Sequence, residues 1–233
     1  MMNFHIHTTW SDGIYTPEII VREAIKRKME KIAITDHYQT RKVSSVPKKY
    51  LKMYMEDIKT LRKKYRDIEI YIGIEVDFSP RTDIDKLPSF EEFDFILFEY
   101  VQDSLWEGYP LWMLLDIRKK IESPVILAHN DLLRNFRNSD IQALLRVLEA
   151  DKIGIELNTN LNYTKLGDFY YRLATPIFER VRDFQIPISV GSDLHEELDL
   201  LDDVDDALSF IQELHLEKNL KFFLKEIGKR YEG

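Results

Sequence analysis

Short runs of apolar, β-prone residues alternate with longer amphipathic stretches along this chain, and that alternation restricts the fold more than any other feature. The runs stand at Asn3–His7, Lys31–Thr35, Ile68–Glu75, Phe93–Tyr100, Pro124–His129, Gly154–Asn158 and Ile186–Gly191. Helix starts between them are marked chemically. Thr16-Pro17-Glu18 offers an N-cap hydroxyl, a proline at the first helical position and an early acid that suits the helix dipole. Ser139-Asp140 precedes the apolar stretch from Ile141, and Thr175-Pro176 precedes Ile177. Seven strands that are each followed by a helix predict an α/β fold, a parallel (β/α)7 barrel of TIM-like form, closed or slightly distorted. Chemistry in such barrels gathers at the C-terminal ends of the strands. With no internal repeat, low-complexity tract or Gly/Pro/Ser-rich linker, residues 1–233 are expected to form a single domain.

An apolar content of 44% and a charged content of 32% suit an ordinary globular protein with a sizeable core. No apolar run reaches membrane-spanning length, and the first residues lack the pattern of a signal peptide, so a cytoplasmic location is expected. The absence of cysteine removes disulfides, thiolate metal sites and cysteine nucleophiles together. A net charge of −8 disfavours general binding to a nucleic-acid backbone, which depends on lysine and arginine. The basic stretch from Arg41 to Arg66 reads as a solvated helix face. The aspartates between Asp199 and Asp206 lack the glycine and terminal glutamate of an EF-hand loop. His215 has no ligand-type partner at helical spacing.

The other five of the six histidines fall at strand ends. His5 and His7 end the first strand, His37 follows the second, His129 ends the fifth, and His195 follows the seventh. Two residues apart on a strand, His5 and His7 point to the same face. Carboxylates join them: Asp12 in the turn Thr8–Gly13, Asp36 beside His37, Glu75 ending strand three, Glu156 near the end of strand six, and Asp193 two residues before His195. Imidazole and carboxylate without thiolate suit zinc, manganese or iron. The constellation predicts a multinuclear centre of divalent ions. Such ions bring the pKa of bound water to about 7 and neutralise phosphate oxygens. Asp36, next to a ligand candidate, either orients the site or simply finishes the strand, and the structural role is favoured.

His5-Ile6-His7-Thr8, Ser11-Asp12-Gly13, Thr16-Pro17-Glu18 and Ile34-Thr35-Asp36-His37 resemble the opening motifs of the PHP family, named for polymerase and histidinol phosphatase. Gly73-Ile74-Glu75, Leu127-Ala128-His129, Ile155–Asn158 and Gly191–His195 resemble its later motifs, in order, to about residue 200. The resemblance implies a distorted seven-stranded barrel that holds two or three divalent metal ions and hydrolyses phosphoesters. It further implies that His5, His7, Glu75 and Asp193 hold one ion. Glu75 would bridge to a second ion bound by His129, and Asp12, His37 and His195 would hold a third. Glu75, Asp193 and His195 are the catalytic candidates. The family places a histidine after strand four where this chain has Val101, which leaves Glu99, Gln102 or water to replace that ligand.

For substrate binding, Arg134 and Arg137 lie one or two turns after His129, and arginine can hold phosphate in a bidentate contact. Arg81 and Asn158 are further candidates, with Asn160 beside the latter. Histidinol phosphatases commonly place an arginine after the Asn-Thr pair, where this chain has Leu161-Asn162-Tyr163. The leading expectation is a phosphatase acting on a small phosphorylated metabolite. The alternatives are a nuclease or nucleotide phosphodiesterase, and a degenerate barrel that serves as a binding subunit.

Overall fold

In a computed structural model that describes residues 1–231, seven parallel strands form one sheet in sequential order. They are β1 (Met2–Asn3), β2 (Lys31–Ile34), β3 (Glu69–Asp77), β4 (Phe95–Glu99), β5 (Val125–Leu127), β6 (Ile153–Asn158) and β7 (Ile188–Gly191). The sheet curls until its first and last strands meet. Phe4 N donates to Val190 O at 2.9 Å, His7 N donates to Leu194 O at 2.9 Å, and Ile6 pairs with Leu194 in a parallel bridge. The result is the nearly closed α/β barrel expected from the alternating pattern.

Each expected strand is present, but β1 is shorter than Asn3–His7. Its regular ladder ends at Asn3, because the next residues pair alternately with the β7 side and with β2, where Thr35 N donates to Ile6 O at 2.9 Å. Strands β3 to β7 are almost wholly buried, as parallel strands covered on both faces must be.

The helices begin largely where their caps predict. Helix α1 (Pro17–Lys26) is capped by the Thr16 side chain, which accepts from Ile19 N, and it buries Pro17, Ile20, Val21 and Ala24 at helical spacing. Helix α2 (Leu51–Lys64) buries Tyr54, Met55, Ile58 and Leu61, while Lys52, Lys63 and Lys64 face solvent. Helix α3 spans Leu111–Arg118. Asp140 rather than Ser139 caps α4 (Ile141–Ala150), accepting from Ala143 N at 2.8 Å. In α5 (Thr175–Val181) the threonine is already helical, and its hydroxyl donates to Arg172 O at 2.6 Å. Helix α6 covers Asp205–Glu213.

The last helix, α7 (Glu217–Tyr231), closes the end of the barrel opposite the strand C-termini. Its Phe223 packs edge-on against Phe4 at 5.1 Å and Phe95 at 5.5 Å, and Asn219 Nδ2 donates to Ile186 O at 2.8 Å. That aromatic plug fixes Phe4, the residue before His5. Among the described residues no helix is long and apolar enough to cross a membrane.

Two glycines separate packing from propensity. A Cβ on Gly191 would lie 2.4 Å from both Glu156 Oε1 and the His5 Cβ, whereas one on Gly228, inside α7, would meet nothing within 4 Å. Gly191→Ala should therefore destabilise by about 1–3 kcal/mol. Gly228→Ala should stabilise by about 0.5–1 kcal/mol. Urea unfolding midpoints that move in opposite directions are the expected result.

Candidate metal centre

The strand ends bring their polar side chains to one mouth of the barrel. His5 Nε2 and His7 Nε2 lie 3.0 Å apart, both fully buried. Asp193 Oδ1 stands 3.1 and 3.0 Å from them, and Glu75 Oε2 stands 3.4 and 3.3 Å from them. A tetrahedral cation bound at about 2.0 Å separates its ligand atoms by roughly 3.3 Å. Two imidazole nitrogens facing each other need a proton or a cation between them, and a divalent ion fits all four atoms.

Two more groupings adjoin the first. His7 Nδ1, His37 Nε2 and His195 Nε2 lie 3.6, 3.8 and 3.4 Å from the Asp12 carboxylate oxygens. His37 Nδ1 lies 3.1 Å from Glu75 Oε2 and 3.8 Å from Glu99 Oε1, and His129 Nε2 meets Glu75 Oε1 at 2.8 Å. His37 Nδ1, Glu75 Oε2 and Glu99 Oε1 are buried without a hydrogen-bond partner. Unsatisfied buried polar atoms are costly, and a cation among these three would satisfy them together. The donors are nitrogen and oxygen alone, which suits zinc, manganese or iron.

Neighbouring side chains aim the ligands. Glu156 Oε1 binds His5 Nδ1 at 2.8 Å and so turns Nε2 toward the cluster. The Asp36 carboxylate accepts from Thr8 N at 2.7 Å, Thr8 Oγ1 at 2.8 Å and Ser11 Oγ at 2.6 Å, which fixes the turn that carries Asp12. Tyr163 donates to Asp193 Oδ2 at 2.9 Å and stacks on His129 at 4.3 Å. His129 and Asp193 adopt left-handed backbone conformations, with φ of 60° and 51°. Such strain is of order 1–3 kcal/mol per residue and collects where a side chain must point against local preference.

Burial opposes charge at these groups, and their mutual proximity overrides it at most of them. Burial draws His7 down, yet Asp193 and Glu75 hold it at about 10. His5 is raised against burial by Glu156, Asp193 and Glu75, and His129 is raised by Glu75. The facing histidines keep Asp193 and Glu75 well below the carboxylate range despite burial, and Asp12 falls to about 2 in the same way, with His195 foremost. At His37 burial prevails and lowers it to about 4. Burial, then repulsion from Glu75, lifts Glu99 to about 7.

All eight expected ligands, His5, His7, Asp12, His37, Glu75, His129, Asp193 and His195, meet at this mouth. Two details differ from the expected grouping. His7 faces Asp12 as well as the first cluster, and Glu99 joins His37 and Glu75. Val101 is buried and contributes only its carbonyl, which accepts from Asn130. Gln102 turns away and donates to Gly108 O at 2.9 Å.

A cavity of about 600 Å³ opens over the cluster, lined among others by Lys42, Asn160, Tyr163, Glu196 and Glu197. Of the expected substrate-binding residues Asn160 lines it, whereas Arg81, Arg134, Arg137 and Asn158 stand outside it. Arg81 pairs with Asp77 at 2.7 Å. Arg134 covers Trp106 at 4.3 Å and borders a smaller cavity behind His129, and Arg137 lies over the same indole at 6.0 Å. Asn158 is buried, and its Oδ1 accepts from Asn160 N at 2.9 Å. Sequence reasoning missed Lys42 and Tyr163 as neighbours of the cluster. Neither lies on a strand, so no periodicity announces them.

A model of the PHP domain matches residues 3–184, and the chain belongs to that family. It is 23% identical over 215 residues to the DNA polymerase/3'-5' exonuclease PolX of Bacillus subtilis, covering 87% of this chain and 35% of that protein. An uncharacterised protein of Methanocaldococcus jannaschii is 34% identical over 85 residues, 36% of this chain and 37% of that one. The chain thus spans about a third of the length of these curated relatives. Among solved structures, a histidinol phosphate phosphatase from Lactococcus lactis, complexed with zinc, L-histidinol and phosphate, superposes with a TM-score of 0.65 at 20% identity, covering 91% of this chain and 93% of that one. A structure from work on YwqE of Bacillus subtilis and CpsB of Streptococcus pneumoniae, described as metal-dependent tyrosine phosphatases, gives 0.59 at 15% identity over 99% and 92%. At these identities the likeness to the solved structures is one of fold.

His7→Ala should remove at least one bound ion per chain by elemental analysis, while His215→Ala, at an exposed position, should leave metal content unchanged. Glu156→Gln should weaken metal affinity about 10- to 100-fold by loosening His5. Protons on His5, His7 and His129 must leave before a cation enters, so metal loading should release protons and tighten as pH rises. Zinc added to weakly buffered metal-free protein near about pH 7 should acidify the solution. A metal affinity independent of pH would remove these histidines from the ligand set.

Proposed function

We propose that this chain is a metal-dependent phosphoesterase that hydrolyses a small phosphorylated metabolite. One observation carries the reading: His5 Nε2 and His7 Nε2 lie 3.0–3.4 Å from each other and from Glu75 Oε2 and Asp193 Oδ1, at the floor of a cavity of about 600 Å³. A space of that size suits a small molecule. Membership of the PHP family and the fold shared with two metal-dependent phosphatases support it, and zinc accompanies the Lactococcus lactis enzyme.

Two or three zinc, manganese or iron ions, when bound, supply water activated near neutral pH and neutralise the phosphoryl oxygens. The chain's own residues hold and exclude. Glu75 is shared between groupings and sets their spacing. Asp193, fixed by the Tyr163 hydroxyl, completes the first cluster. His195 Nδ1 donates to Asp193 O at 2.9 Å, which directs the Nε2 lone pair at Asp12. In that tautomer His195 holds an ion or accepts a proton. The Tyr163 ring covers His129 and keeps water from that side of the cluster.

Likeness to PolX favours a second reading, attack on a nucleic-acid end. The net charge of −8 and the acidic Glu196 and Glu197 in the cavity wall weigh against it.

Protein loaded with zinc, manganese or iron should release inorganic phosphate from members of a small-monoester panel, lose this on chelation and regain it on reloading. Asp193→Asn should lower kcat/KM about a hundredfold or more through the lost ligand charge. No phosphate release from any monoester by fully loaded protein would sink the proposal. Salt-resistant cleavage of single-stranded oligonucleotides would favour the second reading.

A further inference from the structure

Among the residues that line the cavity, Lys42 alone is a lysine or arginine. Its Nζ donates to Glu99 Oε2 at 2.9 Å, and the Glu99 side chain is 1% exposed. The other Glu99 oxygen faces His37 Nδ1 at 3.8 Å. The ammonium therefore stands one carboxylate's width from the ligand cluster.

This lysine is built in rather than loosely placed. Lys42 N donates to Thr40 Oγ1 at 3.0 Å, and Thr40 Oγ1 donates to the buried Asp77 at 2.8 Å. Arg41 N anchors the same loop to Arg81 O at 3.1 Å. Lys42 Nζ lies 5.1 Å from the centre of the Tyr100 ring, which the Arg81 guanidinium also approaches at 4.4 Å. A lysine ammonium carries three donors, and Glu99 is its hydrogen-bonded carboxylate here. With the side chain 30% exposed, N–H groups remain for something in the cavity. A pair serving stability alone gains little over apolar packing, because desolvation offsets the attraction.

We propose that Lys42 is the phosphate-holding cation of this cavity, and that Glu99 is the positioning residue that sets its ammonium beside the ligand cluster. The assignment rests on the phosphoesterase reading and deepens it. The ligand class is a phosphate monoester dianion, whose oxygens take charge-assisted hydrogen bonds from the ammonium.

Inorganic phosphate is the probe, titrated calorimetrically into metal-loaded protein whose ion content is measured in parallel. Lys42→Met should weaken phosphate binding on the order of ten- to a hundredfold with unchanged ion content. Lys42→Arg should stay within a few-fold of the parent. Lys59→Met, which removes the same charge from an α2 lysine paired with Glu92, should bind phosphate like the parent. Compared at equal ion content, because Glu99 also joins His37 and Glu75, Glu99→Gln should weaken phosphate binding in the parent and have no further effect in Lys42→Met, a non-additivity that a merely structural role would not produce.

Phosphate affinity unchanged in Lys42→Met, or lowered only in proportion to lost metal, overturns the assignment, and turnover of monoesters by the parent would then leave the phosphoesterase reading standing. Phosphate held through Lys42 by a fully loaded parent that hydrolyses no monoester would do the reverse.

Discussion

The Glu75 carboxylate is wholly withdrawn from solvent and meets four imidazoles, those of His5, His7, His37 and His129, at 3.4, 3.3, 3.1 and 2.8 Å. A lone carboxylate in that position would be neutral, since burial disfavours its charge. Surrounded by histidines, it stays ionised and in turn sustains the charge on His5, His7 and His129. The mouth of the barrel is thus an electrostatic unit in which His5, His7, His37, His129, Glu75 and Asp193 settle their charges together. A divalent ion bound there would take over the work that protons do in its absence, so ligand geometry and proton affinity belong together.

The barrel gives that unit its rigidity. Parallel strands in sequential order bring Glu75, His129 and Asp193 to one end, while Phe4, Phe95 and Phe223 fill the other. His5 lies immediately after one of the plugging rings. Its position is therefore set by packing on one side and by Glu156 on the other, and Gly191 leaves the gap through which the two approach.

Much of this could be read from the chain before its coordinates. Strand runs, helix caps and ligands at strand ends follow from periodicity and from residue chemistry. Glu99 resisted such reading for a definite reason. Every residue of β4 is buried, so alternation carries no information about which side chains face the mouth. Lys42 and Tyr163 sit on connections whose course depends on contacts distant in sequence, Lys42 through Asp77 and Tyr163 through Asp193. Arg134 and Arg137 show the converse limit. Their spacing after His129 suggests the cavity, but the Trp106 ring gathers both guanidinium groups on its own side of the barrel.

The seam between the first and last strands joins Asn3 to Ser192, 189 residues apart, and the first ligand cluster straddles it. During synthesis the two histidines that emerge first must therefore wait for nearly the whole barrel before Asp193 arrives. A domain made from its N-terminus onward assembles this centre as one of its last acts. Until then His5 and His7 stand without the carboxylate that faces them in the closed barrel. An ion held by all four groups of the first cluster would therefore find its site only when the final strand closes the fold.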